Sequence, residues 1–312
     1  MKANLRFSVV VCTYNGADTI IEQLESIKNQ TMTVDEVIIC DDRSTDDTVS
    51  VVNEYISKEG LSNWNIYVNE ENLGYASNFF HAACRASGEY IFFCDQDDIW
   101  VCDRVEKMSH NMDINPKILV MGSEFEPFSV SEDALSVPAW ELAKFKNDDS
   151  LECLEFNSKN IFIGCQGCTM CVRKEFWDSI VPYWFTDWAH DEFVWKLALV
   201  RNGLYFYHFR SLNRRVHSGN VSLGKMRDMN KRIKYVDNLL KSHEATRKYA
   251  IDLNSPKSYI QLLDKHIKAT KLRMKLLRDK KLIYVFPLFI RYSSCYHKKR
   301  AIPVELYMAV KQ

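Results

Sequence analysis

The 312-residue chain has no net charge, since 41 Lys and Arg balance 41 Asp and Glu. No apolar run approaches the about 18 residues that a membrane-spanning helix needs. The longest, residues 282–290, has nine residues with Pro287 inside it. Neither G-x-G-x-x-G nor G-K-[ST] occurs, so dinucleotide fingerprints and phosphate-cradling Gly loops are excluded. No glycine follows Gly224. Internal repeats and low-complexity tracts are absent. The polar start (Lys2, Asn4, Arg6) runs straight into an apolar strand pattern, without a charged region, apolar stretch and cleavage site in sequence. The expectation is a cytosolic chain whose ten cysteines are reduced and serve no disulfide scaffold.

What is present is an ordinary globular composition, 46% hydrophobic and 26% charged, which rules out whole-chain disorder. At roughly 150 residues per domain the length fits two domains, or one with an appendage. The zero net charge hides an asymmetry. From Lys225 onward 22 Lys/Arg stand against 7 Asp/Glu, whereas the first 224 residues hold 19 and 34. An acidic body (residues 1–224) and a basic helical extension (225–312) follow, the extension with an anionic partner.

The first hundred residues alternate between two periods. Continuous apolar runs at residues 7–12 and 37–40 read as buried strands, and 65–68 and 90–94 as a third and a fourth strand. Between them lie helical patterns at 19–28, 44–56 and 75–86, the first opened by a capping-box pattern, Thr19-x-x-Glu22. This order predicts βαβ units and an α/β fold with a mostly parallel sheet. Beyond, strands are expected at 118–121 and 205–207, and a helix at 190–202.

In such sheets ligands sit at the carboxyl ends of the strands. Here those ends are Thr13-Tyr14-Asn15, Asp41-Asp42, Asn72-Leu73-Gly74 and Asp95-Gln96-Asp97-Asp98. Two carboxylates spaced i, i+2 on a turn can share one hard cation, with water and phosphates completing the shell, so Asp95 and Asp97 are expected to hold Mn²⁺ or Mg²⁺. Asp98 can instead cap the segment after it. Asp42 is placed to accept from a base N–H or ribose hydroxyl, or to cap the helix near Ser44; Asp41 has a weaker claim. Tyr14, within the Thr13-Tyr14-Asn15-Gly16 turn, is expected to wall a nucleobase. Cys165-x-x-Cys168-x-x-Cys171 supplies three thiols where structural zinc needs four ligands; buried small residues, with Gly164 and Gly167 permitting close approach, is the simpler reading.

Taken together, Val-Val-Val-Cys-Thr-Tyr-Asn-Gly, Ile-Ile-Cys-Asp-Asp-Arg-Ser-Thr-Asp-Asp-Thr, Glu-Asn-Leu-Gly-Tyr-Ala-Ser-Asn and Gly-Glu-Tyr-Ile-Phe-Phe-Cys-Asp-Gln-Asp-Asp-Ile-Trp resemble the N-terminal half of a family 2 glycosyltransferase, in the family's order over residues 7–108. The Asp-Gln-Asp-Asp-x-Trp form is similar to the rhamnosyltransferase-like branch that builds bacterial surface polysaccharide. The resemblance implies a GT-A fold and an inverting transfer from a nucleotide-diphosphate sugar, dTDP-rhamnose or a UDP-hexose, to a glycan or lipid-linked glycan. It implies that Thr13, Tyr14 and Asp42 contact base and ribose, that Gly74 and Asn78 line the nucleotide pocket, that Asp95 touches the ribose or the metal's water shell, and that Asp97 ligates the metal. The family's downstream acid-Asp pair is best matched by His190-Asp191, with Asp191 as catalytic base and Asp187 as rival; the usual Glu is replaced by His. Trp184, Phe185, Trp188 and Trp195 would wall that base and raise its pKa. In Arg215-Val216-His217 the resemblance implies a segment over the diphosphate, with His217 completing the metal shell and Arg215 neutralising charge; a solvated turn is the alternative.

Residues 282–290, flanked by Lys and Arg, suit either a segment on an anionic membrane surface, the inner face of the plasma membrane, or a helical cap packed on the body. Nothing resembles a nucleic-acid module. A sugar-1-phosphate nucleotidyltransferase is the alternative enzyme, and a non-catalytic membrane adaptor the alternative without chemistry.

Overall fold

The computed structural model describes residues 6–130, 136–217 and 228–311. Four strands form the parallel half of one sheet: β1 (Phe7–Thr13), β2 (Glu36–Asp41), β3 (Trp64–Val68) and β4 (Tyr90–Asp95); β1, β2 and β4 are largely buried, whereas β3 is a mostly exposed edge. β1 pairs with β2 on one side and β4 on the other, and β3 lies outside β2. The register sets Thr13 opposite Asp41 and Cys12 opposite Asp95. The polar strand ends therefore meet on one edge. Helices α1 (Ile20–Lys28), α2 (Thr48–Glu59) and α3 (Tyr75–Arg85) make the crossovers.

Past β4 the sheet becomes mixed. With β5 (Ile99–Trp100), β6 (Val120–Ser129), β7 (Leu151–Cys153), β8 (Cys171–Arg173) and β9 (Leu204–Val216) the order is β3-β2-β1-β4-β8-β6-β9-β5, β7 pairing with β9. β8 is antiparallel to both β4 and β6, while β6 and β9 are parallel. The strands expected at 118–121 and 205–207 prove to be the starts of these longer ones. A fully buried Glu124 interrupts the apolar run of β6; its carboxylate accepts from His208 Nδ1 (2.7 Å) and from the amides of Lys146 (2.7 Å) and Asn147 (3.0 Å). Register shifts between Ser123 and Glu126 bend the pair there.

Alternation in β1 feeds two cores. Val10 and Cys12 pack with Phe79 and Phe80 of α3, Trp177 of α6 (Lys174–Ile180) and the apolar face of α7 (His190–Val200). Val9 and Val11 pack with α1, Val52 of α2, and Val105 and Met108 of α4 (Arg104–Ile114). A short α5 (Ala139–Leu142) lies in the connection after β6. The expected capping box is not formed. The Thr19 side chain does not cap α1, and Glu22 pairs with Arg215 instead (2.6 Å), because a cationic guanidinium competes better for the carboxylate than one backbone amide.

The basic extension folds as α8 (Met229–Asp252), α9 (Lys257–Leu277), α10 (Val285–Ile290) and α11 (Ala301–Lys311). The boundary expected between residues 224 and 225 lies outside the described residues. Leu239, Tyr249 and Ala250 of α8 and Leu263 of α9 join the same core as α7. Fully buried Lys196 of α7 binds Glu192 (2.6 Å) and Ser242 of α8 (2.7 Å). In turn α9 holds α11 by a buried pair, Arg273 Nη2 to Glu305 (2.6 Å), which Tyr296 reinforces by donating to Glu305 (3.1 Å). Among the described residues no helix is long and apolar enough to cross a membrane.

Candidate active site

The edge where β1, β2 and β4 end is built from side chains that lock the turns together. Thr13, 2% exposed, donates to Asp41 Oδ2 (2.7 Å), and Asp41 also accepts from the Ser44 amide (2.7 Å) and hydroxyl (2.6 Å). Asn15, in the left-handed region (φ 50°), receives a bond from the Thr45 amide at Oδ1 (2.7 Å) and donates its own amide to Ser44 (2.8 Å). Both residues therefore splice the first turn to the second.

Asp42 is equally committed. Its carboxylate accepts from the amides of Leu73 (2.8 Å) and Gly74 (2.9 Å) and from Asn69 Nδ2 (2.9 Å). It thereby holds the loop between β3 and α3 over the strand ends. Gly74 has φ 76° and ψ 154°, a region essentially restricted to glycine, so the loop needs glycine there. Asn78, 2% exposed, donates to the Cys40 carbonyl (2.9 Å) and accepts from Asn69 (2.9 Å). Tyr14 is left half exposed beside these groups. Gln96 went unnoticed in the sequence although it lies between the acids: its amide bonds both the N–H (2.7 Å) and the C=O (3.1 Å) of Tyr14, tying the β1 turn to the β4 turn.

The acidic turn divides its labour. Asp97 Oδ2 meets His217 Nε2 at 2.7 Å, a contact across 120 residues that unites two of the expected metal ligands. Burial, aided by repulsion from Asp97, pushes the Asp95 carboxyl up to about 6. Burial and the neighbouring Asp95 and Asp97 push Asp98 to about 8, so it is protonated at neutral pH. Asp98 Oδ1 accepts from the Arg215 amide (3.1 Å), whereas its Oδ2 is buried without a hydrogen-bond partner. Ligand atoms of Asp95, Asp98 and Cys168 lie within 4.8 Å of one another. Burial raises the Cys168 thiol well above its ordinary value, which leaves it protonated. Cys165 lies against Gly122, and Cys171 contacts Met112 (3.3 Å). The three thiols thus do not gather as one metal group among the described residues.

Arg215 sits behind the turn rather than over it. Its Nε donates to the Asp97 carbonyl (2.8 Å), its Nη2 pairs with Glu22, and its guanidinium packs on Phe128 (4.8 Å). Arg214, which is 4% exposed and stacked on Phe125 (5.3 Å), lowers the pKa of both Asp95 and Asp98, and Arg104 adds to this for Asp95. Period-2 alternation along β9 sends 214 and 215 to opposite faces.

A second carboxylate lies close to this turn. Asp191 is in the first turn of α7, where Oδ1 accepts from the Glu192 amide (2.7 Å). Burial raises it to about 7, and Asp95 is close enough to add to the rise. His190 beside it is stacked on Phe79 (4.0 Å) and has no hydrogen-bond partner at either nitrogen, so burial lowers it to about 3 and it is neutral. A Cβ on Gly167 would lie 2.7 Å from His190 Nε2 and 3.2 Å from Asp191 Cβ, so glycine is required for this approach. Trp188 and Trp195 are buried behind α7, Phe185 stacks on Trp188 (5.0 Å), and Trp184 stacks on Phe80 (3.8 Å). The rival Asp187 is exposed and paired with Lys234 (3.1 Å).

The donors fit a divalent ion in kind but are gathered only in part. Asp97 and His217 touch each other, whereas the ligand atoms that converge on one point are those of Asp95, Asp98 and Cys168. Asp95 and Asp97 offer hard oxygens, His217 an imidazole, and the crowding that raises two carboxyl pKa values is what a cation would relieve. Asp98 and Cys168, both protonated, are anchors beneath it.

Several known proteins resemble the chain in sequence or fold. Over 106 residues the chain is 37% identical to an Escherichia coli protein, the UDP-Glc:alpha-D-GlcNAc-diphosphoundecaprenol beta-1,3-glucosyltransferase WfaP; the match spans 34% of this chain and 41% of that one. The crystal structure of S. aureus TarS 1-349 in complex with UDP-GlcNAc superposes with a TM-score of 0.67 at 16% identity, over 97% of this chain and 90% of TarS 1-349. The mannosyltransferase PcManGT from Pyrobaculum calidifontis, in complex with GDP-Man and Mn²⁺, gives 0.58 at 16% identity, over 99% and 87%. At these identities the structural matches speak for the fold, which is GT-A. The model of the family described as "Glycosyl transferase family 2" matches residues 8–179, more than half of the sequence, and the chain belongs to that family.

Proposed function

We propose that the protein is a metal-dependent, inverting glycosyltransferase that moves a hexose from a UDP-sugar to a lipid-linked glycan at the cytoplasmic face of the membrane, in surface polysaccharide synthesis. The observation that carries this reading is a pair of neighbouring, differently tuned carboxylate sites, the Asp95/Asp97/His217 group and Asp191. UDP is favoured over dTDP because WfaP is named for UDP-Glc and TarS binds UDP-GlcNAc. The lipid-linked acceptor is likewise suggested by the name of WfaP.

In this reading Tyr14 stacks on the base, and the Asp42-held loop with Gly74 and Asn78 borders the nucleotide. Asp97, Asp95 and His217 would hold Mn²⁺ or Mg²⁺, which supplies Lewis-acid neutralisation of the departing diphosphate. An imidazole in the set favours Mn²⁺. Asp191 takes the proton of the attacking acceptor hydroxyl; with a pKa near 7 it is a far better base than an ordinary carboxylate. One base opposite one leaving group gives a single displacement, hence inversion at the anomeric carbon. Arg215 and Gln96 position the two turns and do not touch the donor.

The test is nucleotide release from UDP-glucose, UDP-GlcNAc and dTDP-rhamnose with Mn²⁺, Mg²⁺ or chelator. Release from a UDP-sugar that needs the metal and is lost in Asp97→Ala is expected. Release undiminished in chelator would refute the metal role, and release from dTDP-rhamnose alone would refute the donor.

A further inference from the structure

The extension buries only part of its apolar surface. Leu288 of α10, Tyr292, and Ile302 of α11 form a small core with Leu276 of α9. The opposite side is bare. Ile283, Phe286, Phe289 and Ile290 are each 65–79% exposed, and Tyr307 and Val310 of α11 are 59% and 63% exposed. The spacings 283, 286, 289/290 and 307, 310 put each set on one side of its element. α10 and α11 touch each other, so the two sets are parts of neighbouring helices. Half of the large apolar residues exposed anywhere among the described residues fall between 282 and 310. A patch of this kind marks an interaction surface.

Its surroundings decide the partner. Lys280, Lys281, Arg291, Lys299, Arg300 and Lys311 flank the two helices and are exposed. From 265 to 311 the acids are Asp279, which is exposed, and Glu305, which is consumed in the buried pair with Arg273. A second copy docking through a two-fold axis would face these cations with themselves. An acidic leaflet would instead complement them, and bulky aromatics beside Lys and Arg are what an interfacial helix presents. Lys311 already lies over the Tyr307 ring (5.3 Å). The Arg273–Glu305 pair fixes α11 so that this face stays outward.

We propose that the α10–α11 face is the surface by which the protein lies on an anionic lipid bilayer, with the aromatic side chains in the acyl boundary and the flanking cations on the headgroups. This rests on the proposed use of a lipid-linked acceptor, but it can fail separately from it.

The test is co-sedimentation of the full chain with vesicles of phosphatidylcholine alone or mixed with phosphatidylglycerol, alongside nucleotide release measured without vesicles. Binding to the mixed vesicles is expected, weakened by salt. F286S/F289S, both exposed and therefore neutral for folding, should lower partitioning at least about tenfold. K280Q/K281Q should lower it only on anionic vesicles, by about fivefold per charge. Asp97→Asn should sediment like the wild type, which separates this proposal from the catalytic one. It is overturned if the wild type does not sediment, if F286S/F289S sediments unchanged, or if light scattering shows a dimer that F286S/F289S dissociates.

Discussion

Two carboxylate sites lie close together, and burial leads the pKa rise at both while the neighbours differ. At the β4 turn three aspartates crowd together, so mutual repulsion adds to burial for Asp95 and Asp98. At the start of α7 desolvation again leads for Asp191, with smaller rises from Glu192 beside it and from Asp95. Three crowded acids ask for a cation, whereas one buried acid with the neutral His190 beside it becomes a base near neutral pH. A raised pKa alone would not tell the two apart; the company each acid keeps does.

The largest expected effects separate the two sites. Asp191→Asn should cut kcat by about a thousandfold while Mn²⁺-dependent UDP binding survives. Asp97→Asn should cost a comparable factor in kcat/KM but abolish the Mn²⁺ contribution to binding. If both variants lost nucleotide binding equally, the division of labour would be wrong. Next, the pH profile of kcat/KM should rise through about pH 7, because Asp191 works only when deprotonated. A flat profile between pH 6 and pH 8, values which bracket about one unit either side of that pKa, would count against Asp191.

A smaller effect concerns stability. A carboxyl whose pKa is raised on folding contributes stability that is present at low pH and is lost as pH rises through the folded value. Asp191→Asn should therefore raise Tm by about 2–4 °C at alkaline pH and hardly at all under acid conditions, below the unfolded pKa. A destabilised variant at alkaline pH would mean that the charge is compensated. The smallest effect is positional. Glu22→Gln loosens the clamp on Arg215, and it should lower Tm by only about 1–2 °C, since this acid is largely solvated. A loss of metal binding on that change would promote Arg215 from positioning to ligand support.

The parallel half of the sheet was legible because β1, β2 and β4 carry largely apolar runs ending in polar residues, and strand-end chemistry is local. Thr13, Asp42, Gly74, Asn78, Asp95 and Asp97 all sit on that edge. Asp97 and His217 could be paired only through the family resemblance, since no local signal joins residues 120 apart. The second half was read poorly for a physical reason. β6 buries the acidic residue Glu124 inside an apolar run, and nothing local in the sequence announces the His208 that meets it. Asn15, Asp41 and Asp42 show the limit of strand-end reasoning: part of their hydrogen-bonding capacity joins turns to one another. The extension was legible as basic and helical, but α11's outward apolar residues lacked any run long enough to notice.

The central claim is that a divalent ion held by Asp97, Asp95 and His217 grips the donor's diphosphate. Calorimetric titration of UDP into the protein tests it most directly. The account predicts at least about tenfold tighter binding with Mn²⁺ than in chelator, a difference that disappears in Asp97→Asn. Equal affinity with and without the metal in the wild type would contradict it.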